Sequence, residues 1–205
     1  MSKKNAIETL VDEVLDGTNL DLRVDDFQLQ ENLETREVRI NCNVHHNKTG
    51  EKVTIEGHGV GIVDAFFQGI IGIYSQEFSS LETIRFNDLE VKASIDKSRQ
   101  GSLSDSMAEV ILAVANSDGK IFLFSKQSQS ITGSCIRAVL RAAEFFVNTE
   151  RAVISVYKAL EHAKEAGRPD SIARYTAQLA TLVEATSYSE VIDRIRRESL
   201  EPPPQ

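Results

Sequence analysis

Gly59-Val60-Gly61-Ile62-Val63-Asp64-Ala65 decides how this chain is read, because it joins a strand-like run to an apolar helix through glycines and a carboxylate. Upstream, Val53 and Ile55 alternate with polar residues, as a half-buried strand does; downstream, Phe66, Phe67, Ile70 and Ile71 recur at helical spacing. Such a strand-to-helix junction brings unpaired backbone N–H groups and the positive end of a helix dipole to one place, which suits a carboxylate-bearing ligand. The junction outlines a binding site and supplies no catalytic machinery of its own.

Working outward toward the N-terminus, Val38, Ile40, Cys42 and Val44 alternate as a second strand, separated from the third by the turn Asn47-Lys48-Thr49-Gly50. Leu20, Leu22 and Val24 alternate before that, with Phe27 and Leu29 in the opposite phase. An amphipathic helix opens the chain within residues 1–19: Ile7, Leu10, Val11, Val14 and Leu15 keep helical spacing, Asn5 with Glu8 has the form of a capping box, and Gly17 closes it. The helix that starts near Ile62 is apolar on most sides, which predicts deep burial.

Toward the C-terminus the pattern recurs. Ile84, Phe86, Leu89, Val91, Ala93 and Ile95 read as extended, as do Val110, Leu112 and Val114; Ser117-Asp118-Gly119 supplies the turn before a strand from Ile121 to Phe124. A helix carrying Ile136, Val139, Leu140, Ala143, Phe146 and Val147 follows and runs through Val153, Val156, Tyr157 and Leu160 to Gly167. The expected fold is therefore α+β: two βββα units, about residues 20–78 and 79–166, forming a pseudo-duplicated domain in which Asp64 stands opposite Ser134. Beyond it, residues 167–205 hold a helix begun by Pro169 and Asp170, a last helix around Val191, Ile192 and Ile195 with Arg194, Arg196 and Arg197 on a solvated face, and a Pro-rich tail.

The bulk properties narrow the function. A chain of 205 residues with 41% hydrophobic content suits one principal domain, and a net charge of −8 gives no drive toward nucleic acid or an anionic membrane. No apolar run approaches the roughly 20 residues of a membrane span, and the polar start lacks a signal peptide's apolar stretch, so a cytoplasmic protein is expected. Cys42 and Cys135 sit inside apolar patterns as buried thiols. Gly57, Gly59 and Gly61 alternate without forming a dinucleotide fingerprint, Cys42, His45, His46 and His58 match no zinc spacing, and no nucleophile-elbow motif occurs. No cofactor and no metal are expected.

With these residues in view, the middle of the chain, about residues 20–150, resembles the C-terminal allosteric (dimerisation) domain of the 2-isopropylmalate synthase and citramalate synthase family. Residues 59–65 match that family's Gly-x-Gly-Pro-Val-Asp-Ala signature with Ile62 in place of proline; Thr132, Ile136, Ala138, Ala142 and Asn148 fall on its second-unit frame, with Ser130, Ser134 and Val139 substituted. The resemblance implies a homodimer whose effector, leucine or isoleucine, contacts Gly59, Gly61, Asp64 and Ala65, with Thr132 and Ser134 from the second unit. It implies regulation of, or assembly with, a separate synthase enzyme: a synthase barrel takes about 250 residues, which the chain does not contain, so no enzymatic activity of its own is expected. Two other readings stay open at this point. One is a structural homodimer that has lost its effector, and the other is an unrecognised enzyme in which His58 meets an acid and a nucleophile in a concave pocket.

Overall fold

The computed structural model describes residues 3–94, 107–186 and 191. Helix α1 (Lys3–Leu15) precedes the strands β1 (Leu22–Asn32), β2 (Glu37–His46) and β3 (Lys52–Gly59) and the helix α2 (Ile62–Tyr74). A short helix α3 (Ser80–Thr83) leads to β4 (Arg85–Ser94), β5 (Met107–Ala115), β6 (Ile121–Ser128), the long helix α4 (Ile131–Glu165) and α5 (Pro169–Leu182). The strands form two antiparallel three-stranded sheets, ordered β1-β2-β3 and β4-β5-β6, each followed by its helix. The fold is α+β with two βββα units, as the pattern predicts. The expected last helix, its arginines, the Pro-rich tail and Ile95 lie outside the described residues, Val191 excepted, which packs in the core.

The phase change between Val24 and Phe27 has a structural cause. The register of β1 on β2 shifts between Val24 and Asp26, so Asp25 bulges and the apolar residues on both sides of it face inward. An equivalent shift falls between Phe86 and Asp88 in β4. Turns repeat as well: Gly50 and Gly119, 69 residues apart, both take the left-handed conformation, with φ of 70° and 76°.

Each helix covers two strands of its own sheet, and the uncovered strand is closed by the other unit. Phe67 of α2 meets Phe86 of β4 edge-on at 4.8 Å between ring centroids, while α4 grips the start of β1. Leu20 donates its N–H to Asn148 Oδ1 at 2.7 Å, Asn148 Nδ2 donates to the Leu20 carbonyl at 2.8 Å, and Leu22 donates its N–H to Glu144 Oε1 at 2.6 Å. The twin units thus clasp each other through reciprocal contacts. Phe122, Phe124, Phe145 and Phe146 form an aromatic cluster between β6 and α4.

The flanking helices join this same core: Ile7, Val11 and Leu15 of α1 and Leu179 and Leu182 of α5 are buried in it. One detail of the sequence reading is corrected. Asn5 does not cap α1, because the helix already runs from Lys3; the Thr9 hydroxyl donates to the Asn5 carbonyl and Glu8 pairs with Lys4 at 2.8 Å. At the other end, Asp16 and Gly17 both turn left-handed, and Lys48 Nζ donates to the Gly17 carbonyl. Helix α2 buries Ala65, Phe66, Phe67, Gly69 and Ile70 but leaves Gly72 and Ile73 exposed, so its burial is one-sided rather than complete.

Candidate functional site

The first junction is built by close contact between β3 and α2. A Cβ placed on Gly57 would lie 2.0 Å from the Ala65 carbonyl oxygen and 2.8 Å from the Gly69 nitrogen, and one on Gly69 would meet Ile55 and the Glu56 carbonyl at 2.7 and 2.8 Å. Gly59 is constrained by its own site: an added Cβ would stand 2.2 Å from Asp64 Oδ2. That carboxylate accepts the Val60 N–H at 3.0 Å and lies within 3.5 Å of Gln68 Nε2, so Asp64 holds the connecting loop against the first turn. The space beside Gly57 and Gly59 therefore belongs to the helix and its aspartate. Gly61 differs: it is the N-cap of α2, offers no side-chain acceptor, and an added Cβ would meet nothing within 4 Å. The first turn of α2 thus lacks a side-chain cap and has Asp64 on it, and first-turn N–H groups of this kind have no partner within the helix.

The second junction closes on itself. Ser130 is the N-cap of α4, and its hydroxyl accepts the Gly133 N–H at 3.0 Å. Ser128 Oγ accepts the Ser130 N–H at 3.2 Å and sits 2.8 Å from Ser134 Oγ, and Ser134 is fully buried. Thr132 stands half-buried on the first turn. Loss of the Ser130 cap is expected to cost about 1 kcal/mol, read as a lower urea midpoint for Ser130→Ala.

The two N-caps, Gly61 and Ser130, are 69 residues apart, and their carbonyls accept the Ala65 and Ser134 N–H groups alike at 2.8 Å. The structure therefore sets Ser134 opposite Ala65 and Gly133 opposite Asp64, a one-residue correction to the spacing read from the sequence. Gly59, Gly61, Asp64 and Ala65 come together at one helix start, Thr132 and Ser134 at the other, each group within its own unit. Ser128, which takes over the loop-holding task of Asp64, escaped sequence reading; a serine two residues before an N-cap serine was its only signal.

A second polar feature also escaped it. Glu144 is buried against the start of β1, and Arg141 Nη1 donates to its Oε2 at 3.2 Å. Burial, outweighing the help of the Leu22 N–H and Arg141, pushes its pKa up to about 7. A cavity of about 530 Å³ beside it is walled by Asp12, Asn19, Asp21, Lys48 and Arg141. Burial also raises the thiols of Cys42, to about 12, and Cys135, which suits small core hydrophobes. His58 lies on the outer face of the first sheet in a cleft with Gln28, Gln30, Arg39, Asn41 and Glu56, whose lining includes no serine, threonine or cysteine.

The family model for the LeuA allosteric (dimerisation) domain matches residues 2–147. The chain belongs to this family. The match takes in α1 and both βββα units and ends within α4, so this LeuA-type domain carries the rest of α4 and α5 beyond the matched region. Comparison with curated proteins gives no match. The family is a regulatory and dimerisation one rather than a catalytic one, and among the described residues no helix is long and apolar enough to cross a membrane.

Proposed function

We propose that this LeuA-type domain is a cytoplasmic homodimeric sensor that binds a branched-chain amino acid, leucine or isoleucine, at the start of α2 and thereby regulates or assembles with a separate synthase enzyme. The observation that carries the reading is the uncapped helix start at Gly61, open and beside Asp64, in a domain of this family. The free N–H groups and helix dipole suit the ligand's carboxylate, and Asp64 suits its ammonium group. A coupling of roughly 1–3 kcal/mol is enough to control a partner.

Calorimetric titration with leucine, isoleucine and valine tests it directly, and heat of binding is expected at millimolar ligand or below. The informative variants are Gly61→Ala and the bulkier Gly61→Val: the backbone there is extended, with φ −173°, and an added Cβ meets nothing within 4 Å, so the fold is expected to persist while the space beside the helix start is reduced. Binding should vanish with thermal stability retained. No heat from the parent protein with any of the three ligands would remove the sensing role.

The self-capped second junction favours a second reading, a structural homodimer that has given up its effector. The serines there already occupy the donors that a ligand would use. Under that reading the protein remains a dimer and all three titrations are flat.

A further inference from the structure

The pseudo-duplication supplies an internal comparison for the space between each sheet and its helix. Gly57 of β3 pairs with Ile40, and Lys126 of β6 pairs with Val110 at the equivalent place in the second sheet. Gln68 and Arg137 stand seven residues beyond the N-caps Gly61 and Ser130, and Gly72 and Arg141 stand eleven beyond them. Three neutral positions of the first unit are therefore cationic in the second, and the first unit shows that the architecture itself needs no charge at any of them. Lys126 also changes the packing. A Cβ at Gly57 would lie 2.0 Å from the Ala65 carbonyl oxygen, so α4 must stand further from β6 than α2 stands from β3 to admit a lysine there.

The three cations line one cleft of about 560 Å³ where the start of β1 faces β6 and α4, and Arg23 of β1 adds a fourth. Its carboxylates are Asp21, Asp25 and Glu144, so positive charge leads by one in a chain whose net charge is −8. Each carboxylate already has a partner: Asp25 Oδ1 lies 2.7 Å from His45 Nδ1, Asp21 Oδ1 accepts from Asn47 Nδ2 at 2.9 Å, and Glu144 accepts from the Leu22 N–H and from Arg141. By contrast, the side chains of Arg23, Lys126 and Arg137 make no ion pair or hydrogen bond among the described residues. Uncommitted cations gathered in one concave site repel one another, and an anionic ligand relieves that repulsion. One guanidinium matches a single carboxylate, whereas a phosphoryl group brings nearly two charges and three acceptor oxygens, enough for two arginines and a lysine. The cleft has the volume of a small-metabolite pocket.

We propose that the cleft between the start of β1, β6 and α4 binds a small phosphorylated metabolite, its phosphoryl group held by Arg23, Lys126 and Arg137. The site is separate from the helix start at Gly61 and does not rest on the amino-acid-sensing reading.

Calorimetric titration of the full chain with inorganic pyrophosphate, against potassium chloride at matched ionic strength, tests it. Pyrophosphate should bind at millimolar concentration or below. Lys126→Gln and, independently, Arg137→Gln should each weaken binding by roughly tenfold or more, the loss of one charge-assisted contact. Neither should lower the melting temperature of the ligand-free protein, because neither side chain has a partner to lose. Lys52→Gln removes an exposed charge outside the cleft and should leave binding unchanged. Citrate that binds as well as pyrophosphate would overturn the phosphoryl assignment. Pyrophosphate no better than chloride, or binding that survives both cleft substitutions, would overturn the site whatever the amino-acid titrations show.

Discussion

Gly57→Ala is expected to destabilise the protein by roughly 3–5 kcal/mol. The methyl group would have to sit 2.0 Å from the Ala65 carbonyl oxygen and 2.8 Å from the Gly69 nitrogen, both backbone atoms of α2. No rotamer change relieves a collision with backbone, so the helix must retreat from β3, and retreat opens gaps around Ile55, Phe66 and Ile70, which are now fully buried. Against a typical total stability of about 5–15 kcal/mol the loss is large, a drop in melting temperature on the order of 10 °C for a chain of this size. Gly72→Ala provides the contrast within the same helix. Its Cβ meets nothing within 4 Å, so alanine there should raise stability by about 0.5–1 kcal/mol. Comparable melting temperatures for the two variants would show that β3 and α2 do not approach through Gly57.

That contrast marks what the sequence conveys and what it withholds. Apolar periodicity located every sheet strand and the four longer helices among the described residues, and even the phase slip between Val24 and Phe27 recorded a bulge, because side-chain alternation is the direct imprint of which face is buried. Glycines are a different kind of signal: they report that a side chain is missing, not what fills the space. Gly59 and Gly61 invited an effector-binding reading, whereas Asp64 occupies the space beside Gly59, α2 that beside Gly57, and of these three only Gly61 faces an open one. The pairing of Asp64 with Ser134 failed by one residue since neither position is marked by burial pattern alone; the N-cap carbonyl contacts fix it. Long-range polar contacts were invisible for a simpler reason. Glu144 and Asn148 lie more than a hundred residues from the amides they bind, and nothing local distinguishes them from other polar residues on a helix.

Glu144 carries the second large effect. Its carboxyl is pushed up from the ordinary value of 4.5 to about 7 in the folded protein, chiefly by burial. Between those values the folded state keeps a proton that the unfolded chain has released, so this carboxyl's contribution to stability is fully present below about pH 4.5 and is lost as the pH rises through about 7. A shift of this size corresponds to roughly 3 kcal/mol across the window. Glu144→Gln retains an oxygen that can accept the Leu22 N–H and nearly the same shape, but it has no charge to desolvate. It also forgoes the ion pair with Arg141, whose guanidinium is half exposed and contributes little in compensation. The variant should match the parent near pH 5 and exceed it by about 2–3 kcal/mol at pH 8. Urea denaturation of both proteins at those two pH values reads the difference directly, and contributions from groups away from Glu144 cancel in the subtraction. Parallel pH profiles would mean that Glu144 is already ionised in the folded protein at neutral pH, held there by Arg141 and the Leu22 amide despite its burial.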